Sequence, residues 1–212
     1  MSDAKATPAA ETSAAGAVPA VTTKATAPAA AVVPAKPKEP RSDNPDAIRA
    51  VARHHKKYNC AQAVACSFCE RLGRNEKEVF QLMEGFGFGM GSMETCGAVS
   101  AMAAVVGMKE SDGNLDNPAS KKRSYRAAKE LIRRFEEKNG SVICRQLKGV
   151  DTKKVLRSCN GCVEDAAELV GRYLNGEFDA VFEEAARKEA AKETARKATK
   201  EAAAQASARQ AE

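Results

Sequence analysis

The chain reads as an all-α protein, a compact bundle of roughly five to seven short helices. Apolar residues recur at helical spacing, asparagines stand where helices would begin, and no convincing stretch alternates with the period of two that a strand needs. After Ser42-Asp43-Asn44-Pro45, residues Ala47, Ile48 and Val51 mark a short amphipathic helix running to about Lys57. Asn59 caps a second helix through Ala63, Val64, Ser67, Phe68 and Leu72, ended by Gly73. Asn75 caps a third through Val79, Phe80, Leu82 and Met83. A small-residue helix follows from Cys96 or Gly97 to Val106. Asp116-Asn117-Pro118 opens a long one with Tyr125, Ala128, Leu131, Ile132 and Phe135 on one face. Ser141–Leu147 forms a short helical turn, and Asn160–Tyr173 the last core helix.

Composition divides the chain into three parts. Residues 1–40 hold 14 Ala and six of the eight Pro, so residues 1–42 are expected to be a disordered spacer that Pro keeps from becoming helical. From Glu177 to Glu212 the chain is mostly Ala, Lys, Glu and Arg, with nothing more apolar than Ala after Phe182. Glu184/Lys188 and Glu193/Lys197 are i,i+4 pairs in the favourable order, which predicts a solvated helix fraying toward Glu212 rather than a coiled coil. Residues 43–176 are left as one domain of about 135 residues, long enough for a core. All seven cysteines lie there.

The net charge of +6 also belongs to the middle, because residues 1–40 carry four Lys against three acids and residues 177–212 carry seven bases against eight acids. Basic residues occur as scattered pairs, without the stripe and stacking aromatics of a nucleic-acid binder, so nucleic acid is not the expected partner. No apolar run approaches the roughly 20 residues of a membrane span. The start lacks a basic segment followed by an unbroken hydrophobic run. With seven cysteines, an odd number that fits a disulfide framework poorly, this points to a reducing cytoplasm.

Gly85-Phe86-Gly87-Phe88-Gly89-Met90-Gly91 has glycine at every second position, without the spacing of a dinucleotide fingerprint or the Lys-Ser/Thr of a phosphate loop. Two uses fit. Phe86, Phe88, Met90 and Met93 can plug the core, or the backbone at Gly87, Gly89 and Gly91, with Gly97 beyond, can approach a bound group and offer it amides.

The cysteines separate by position. Cys60 follows the cap Asn59 and Cys96 opens the small-residue helix, where the helix dipole and free amides lower a thiol's pKa. Cys144 lies in the turn after Asn139-Gly140, and Cys159 opens the last core helix. Cys66 and Cys69, one turn apart inside the second helix, point away from Cys60 and read as small core hydrophobes. Cys159-Asn160-Gly161-Cys162 has the spacing of a redox dithiol or a metal knuckle. It lies too far from Cys66-x-x-Cys69 for a zinc ribbon. The adjacent His54 and His55 point about 100° apart on a helix and read as surface or boundary residues.

Taken together, Asn59-Cys60-Ala61-Gln62-Ala63-Val64, Gly85–Gly91, Cys96-Gly97-Ala98-Val99-Ser100-Ala101, Ser141–Leu147 and Cys159-x-x-x-Val163-x-x-Ala166-Ala167 resemble the C-GCAxxG-C-C family of bacterial and archaeal redox-active proteins. A similar cysteine domain occurs in split-Soret cytochromes. The resemblance covers about residues 45–175 and implies that Cys60, Cys96, Cys144 and Cys159 are the family's cysteine set. Ala101 departs from it, standing where the family has Gly, and Cys66, Cys69 and Cys162 are extras. There is no Cys-x-x-Cys-His, so haem attachment is not expected.

Three functions follow. The first is a redox protein holding an iron–sulfur cluster on the thiolates of Cys60, Cys96, Cys144 and Cys159, passing electrons to a partner protein or sensing redox state. The second is a thiol–disulfide oxidoreductase with Cys96 or Cys60 as low-pKa nucleophile. The third is a zinc ion holding short helices together. A homodimer is compatible with each.

Overall fold

The computed structural model describes residues 42–209, with side chains to residue 201. The expected disordered segment 1–42 lies outside them except for Ser42, as does the fraying end of the C-terminal helix. Eight helices are present among the described residues: α1 Pro45–His55, α2 Cys60–Ala65, α3 Glu76–Met83, α4 Gly97–Glu110, α5 Lys121–Asn139, α6 Cys144–Leu147, α7 Cys159–Leu174 and α8 Asp179–Arg209. The fold is all-α, and its one β-type contact is an isolated antiparallel bridge between Thr95 and Ile143.

Local chemistry starts three helices. Asn44 Oδ1 accepts from the amides of Asp46 and Ala47 ahead of Pro45. Asn59 forms a full capping box, its Oδ1 accepting from Ala61 and Gln62 while Gln62 Oε1 accepts from the Asn59 amide at 3.0 Å. Asn75 Oδ1 accepts from Glu78.

Two boundaries differ from expectation for tertiary reasons. The helix after Asn59 ends at Ala65 and tightens into a 3-10 turn over Cys66–Phe68 rather than running to Gly73. There Arg49 of α1 donates to the Ser67 carbonyl at 3.1 Å, and Ser67 Oγ donates to the Ala63 carbonyl at 2.8 Å. The long helix starts at Lys121 rather than after Pro118. Asp112 collects the amides of Asn114, Ala119 and Ser120 at 2.8–3.1 Å and so holds the connection in a non-helical path.

The core lies where α7 packs against α1, α2, α4 and α5. Tyr173, Phe68, Phe135, Met83, Met102, Leu131 and Leu147 are its largest fully buried side chains. Small residues where α2 meets α4 let the two helices pack closely, with Ala61, Ala63, Ala98 and Ala101 all fully buried. Ala101 is therefore part of the core.

The C-terminal helix is exposed along most of its length, but its start is anchored. Phe178 is buried, Phe182 packs edge-on against Tyr173 at 5.8 Å, and Arg134 covers the Phe178 ring at 4.3 Å. The Glu184–Lys188 pair forms at 2.6 Å. Glu193 instead reaches Lys122 of α5 at 3.0 Å, and Glu189 reaches Arg126 at 2.6 Å, because the α5 cations lie closer than the partner on its own helix. No helix among the described residues is long and apolar enough to cross a membrane.

Candidate functional site

Five of the seven cysteines line one cavity of about 200 Å³: Cys60, Cys96, Cys144, Cys159 and Cys162. His54, Asn59, Phe88, Leu147, Lys148 and Arg157 complete its wall. Cys60 arrives on the first residue of α2, just after its capping box. Cys96 is the residue before α4 and Cys144 the first of α6. Those two segments lie side by side through the Thr95–Ile143 bridge, with the Cys96 amide donating to the Val142 carbonyl at 2.8 Å and the Cys144 amide to the Glu94 carbonyl at 2.7 Å. Cys159 and Cys162 share the first turn of α7, where Ser158 Oγ accepts from the Gly161 amide at 3.1 Å.

Glycines keep this space open. A Cβ on Gly97 would lie 2.6 Å from Cys60 Sγ and 2.6 Å from the Phe86 carbonyl oxygen. One on Gly89, at φ +60°, would meet the Glu94 backbone at 2.7 Å and Cys144 Cβ at 3.0 Å. Gly87 is pressed against the Asn59 side chain, which donates to the Glu84 carbonyl at 2.9 Å. Gly91 faces open space, and none of Gly87, Gly89, Gly91 and Gly97 is itself among the residues of the cavity wall.

The glycine loop does not plug the core. Phe86, Phe88 and Met90 are 37 %, 47 % and 47 % exposed, and Met93 is half-buried. Phe88, Met90 and Met93 all take positive φ values, and Phe88 contributes to the cavity wall rather than to the core. The Phe88 backbone amide favours the Cys60 thiolate, though not enough to offset what raises it.

Thiol protonation runs against the expectation from the helix dipole. Cys60 is held well above the usual thiol range, first by its hydrogen bond to the Cys96 thiol and then by burial. Cys96 is pushed up to about 12 by its hydrogen bond to Cys162 together with burial, against the opposing contact from Cys60. The Ala61 and Ala98 amides do lower these two groups, as helix starts should, but neighbouring thiols and desolvation outweigh them. Burial also raises Cys144, reinforced by Cys159. Cys60, Cys96 and Cys144 are therefore protonated thiols at neutral pH.

Two cations face those sulfurs. The Lys148 ammonium, just past α6, hydrogen-bonds Cys159 and feels Cys144 and Cys60. Burial alone would lower its pKa, yet the combined pull of the sulfurs raises it. The Arg157 guanidinium lies near Cys162, anchored by Asp165 at 2.7 and 2.9 Å and by Glu164 at 3.2 Å, two buried acids. Sequence reasoning missed both cations, because each is one base among 34 until the chain folds. Of the histidines, His54 lines the cavity and its Nδ1 donates to Asn160 Oδ1 at 2.5 Å, while exposed His55 accepts from Asn160 Nδ2 at 3.0 Å. Burial lowers the His54 pKa, so the ring is neutral at pH 7.

Cys66 and Cys69 stay apart. They are 1 % and 2 % exposed, hydrogen-bond each other and belong to the core, outside the cavity wall. Among the described residues no three or more His, Cys, Asp or Glu side chains are gathered tightly enough to hold a single metal ion.

Neither the curated proteins nor the solved structures compared with this chain gave a match. A family model does match, over residues 58–173, with the description "Putative redox-active protein (C_GCAxxG_C_C)". That stretch carries all five cavity cysteines, both thiol-facing cations and more than half of the sequence, and the chain accordingly belongs to the C_GCAxxG_C_C family of redox-active proteins.

Proposed function

We propose that this redox-active protein holds an iron–sulfur cluster on the thiolates of Cys60, Cys96, Cys144 and Cys159 and uses it in electron transfer or redox sensing. The observation that carries the reading is the convergence of thiols from four separate segments on one cavity. Soft thiolates in that number are the donor set such clusters take. A cluster spreads its ligands over several metal ions, which suits this spacing better than one zinc ion at roughly 2.3 Å from four sulfurs. Bound there, it would supply a one-electron redox centre.

The chain's own groups serve that role. Lys148 and Arg157 offset thiolate charge in a site with little water, and the Phe88 amide is aimed at the Cys60 sulfur. Phe88 and Leu147 give the wall an apolar cover. The raised thiols of Cys60 and Cys96 disfavour exchange by a free low-pKa cysteine at those two positions.

Anaerobic purification or iron–sulfide reconstitution, followed by absorption spectroscopy and iron and sulfide analysis, tests the proposal. A coloured protein with iron and sulfide, lost on Cys→Ser substitution at any of the four ligands, is the expected result. Colourless, iron-free protein with all four thiols open to titration after reconstitution overturns it.

A further inference from the structure

The cavity contains one thiol more than the proposed cluster takes. Cys162 is 3 % exposed and lines the same cavity as Cys96, whose thiol it helps to keep protonated. Its helical neighbour Cys159 is instead engaged by the Lys148 ammonium. Gly161 gives Arg157 its position beside Cys162: a Cβ there would fall 2.4 Å from Arg157 Nε. Asp165 and Glu164 then fix the guanidinium in place. Cys162 thus has a cation of its own and a second thiol in the same cavity, the two conditions under which a cysteine reacts and is then resolved.

We infer that Cys162 and Cys96 form a reversible disulfide under peroxide, and that this bond closes the cavity to metal. The oxidant is hydrogen peroxide, small enough to enter a cavity of about 200 Å³. The Cys162 sulfur attacks one peroxide oxygen, the O–O bond breaks, one water leaves and Cys162 becomes a sulfenic acid. The Cys96 thiol condenses with it, the S–S bond forms and a second water leaves. Two thiols lose two electrons and two protons, and one peroxide becomes two waters. The consequence for metal rests on the cluster reading, since Cys96 cannot be ligand and disulfide at once; the disulfide itself does not.

The test uses the full chain, freed of metal and treated with stoichiometric hydrogen peroxide before non-reducing tryptic digestion. Cys96 lies alone in peptide 78–109, Cys159 and Cys162 lie in 158–172, and Cys60 lies in 58–71. The expected product links 78–109 to 158–172, disappears with dithiothreitol, is absent in Cys162→Ser and Cys162→Ala, and persists in Cys159→Ser. Circular dichroism checks that the variants remain helical, and the wild-type link needs no variant to be seen. A link from 78–109 to 58–71, a link surviving in the Cys162 variants, a Cys159–Cys162 loop alone, or over-oxidised thiols without any link would each overturn the inference. In a second arm, peroxide-treated wild type should take up no iron during reconstitution until reduced, whereas treated Cys162→Ala should still take it up. Should even the reduced protein take up no iron, the cluster reading fails while the disulfide result stands.

Discussion

Two groups of cysteines lie within one small helical domain, and almost everything around them differs. Cys66 and Cys69 sit three residues apart in a single turn, buried in the core, where they meet each other and the flanking Arg53–Glu76 pair. Their burial pushes Cys66 up to about 12, so the pair behaves as small apolar filling with a weak hydrogen bond. The other five come from four segments and meet at a cavity with two cations, an aimed amide and glycines that hold neighbours back. Burial and raised thiols are common to both. The distinction is open space plus positive charge, which would make deprotonated sulfur tolerable in one place and not in the other.

The largest expected effect concerns metal. Cys96→Ser should abolish iron uptake on reconstitution, whereas Cys66→Ser should leave it at the wild-type level by iron analysis. Equal loss in both would erase the distinction. Next, Gly97→Ala should destabilise the protein by about 1–3 kcal/mol in urea unfolding, because the added Cβ meets backbone as well as Cys60 Sγ. A smaller effect is expected from Lys148→Met. It removes the ammonium facing Cys159, Cys144 and Cys60, and should weaken iron retention about tenfold in chelator competition with little change in helical content.

The gentlest probe is pH. Cys96 and Cys66 stay protonated in the folded state up to about 12, against an ordinary value of 9.0. The folded state therefore binds more protons than the unfolded between pH 9 and 12, and the stability of metal-free protein should fall as pH rises through that window. Cys66→Ala should reduce that slope and cost about 1 kcal/mol of overall stability. A melting temperature flat from pH 8 to 11 would contradict the placement of these thiols.

Helix starts were readable because an asparagine side chain, its own following amides and the next apolar residues are all within one turn. The four separate cysteines could be singled out for the same reason, since each opens a helix or turn. Their protonation could not, because a capping position predicts a lowered pKa while the neighbouring thiols that raise it come from other segments. Cys162 looked surplus because its partner Cys96 is 66 residues away in sequence. The loop aromatics looked like core, since alternation with glycine gives no sign of which way the chain turns until positive φ values at Phe88 and Met90 swing the side chains outward.

By itself the sequence determined the all-α class, the caps at Asn59 and Asn75, and the identity of the thiol-bearing segments, because these depend on spacing and on groups within a turn of each other. Tertiary structure alone decided that Cys60, Cys96, Cys144, Cys159 and Cys162 share a cavity, that Lys148 and Arg157 face it, and that Cys66 and Cys69 do not. The physical reason is that sulfur reactivity is set by desolvation and nearby charge, and both are fixed by neighbours distant along the chain.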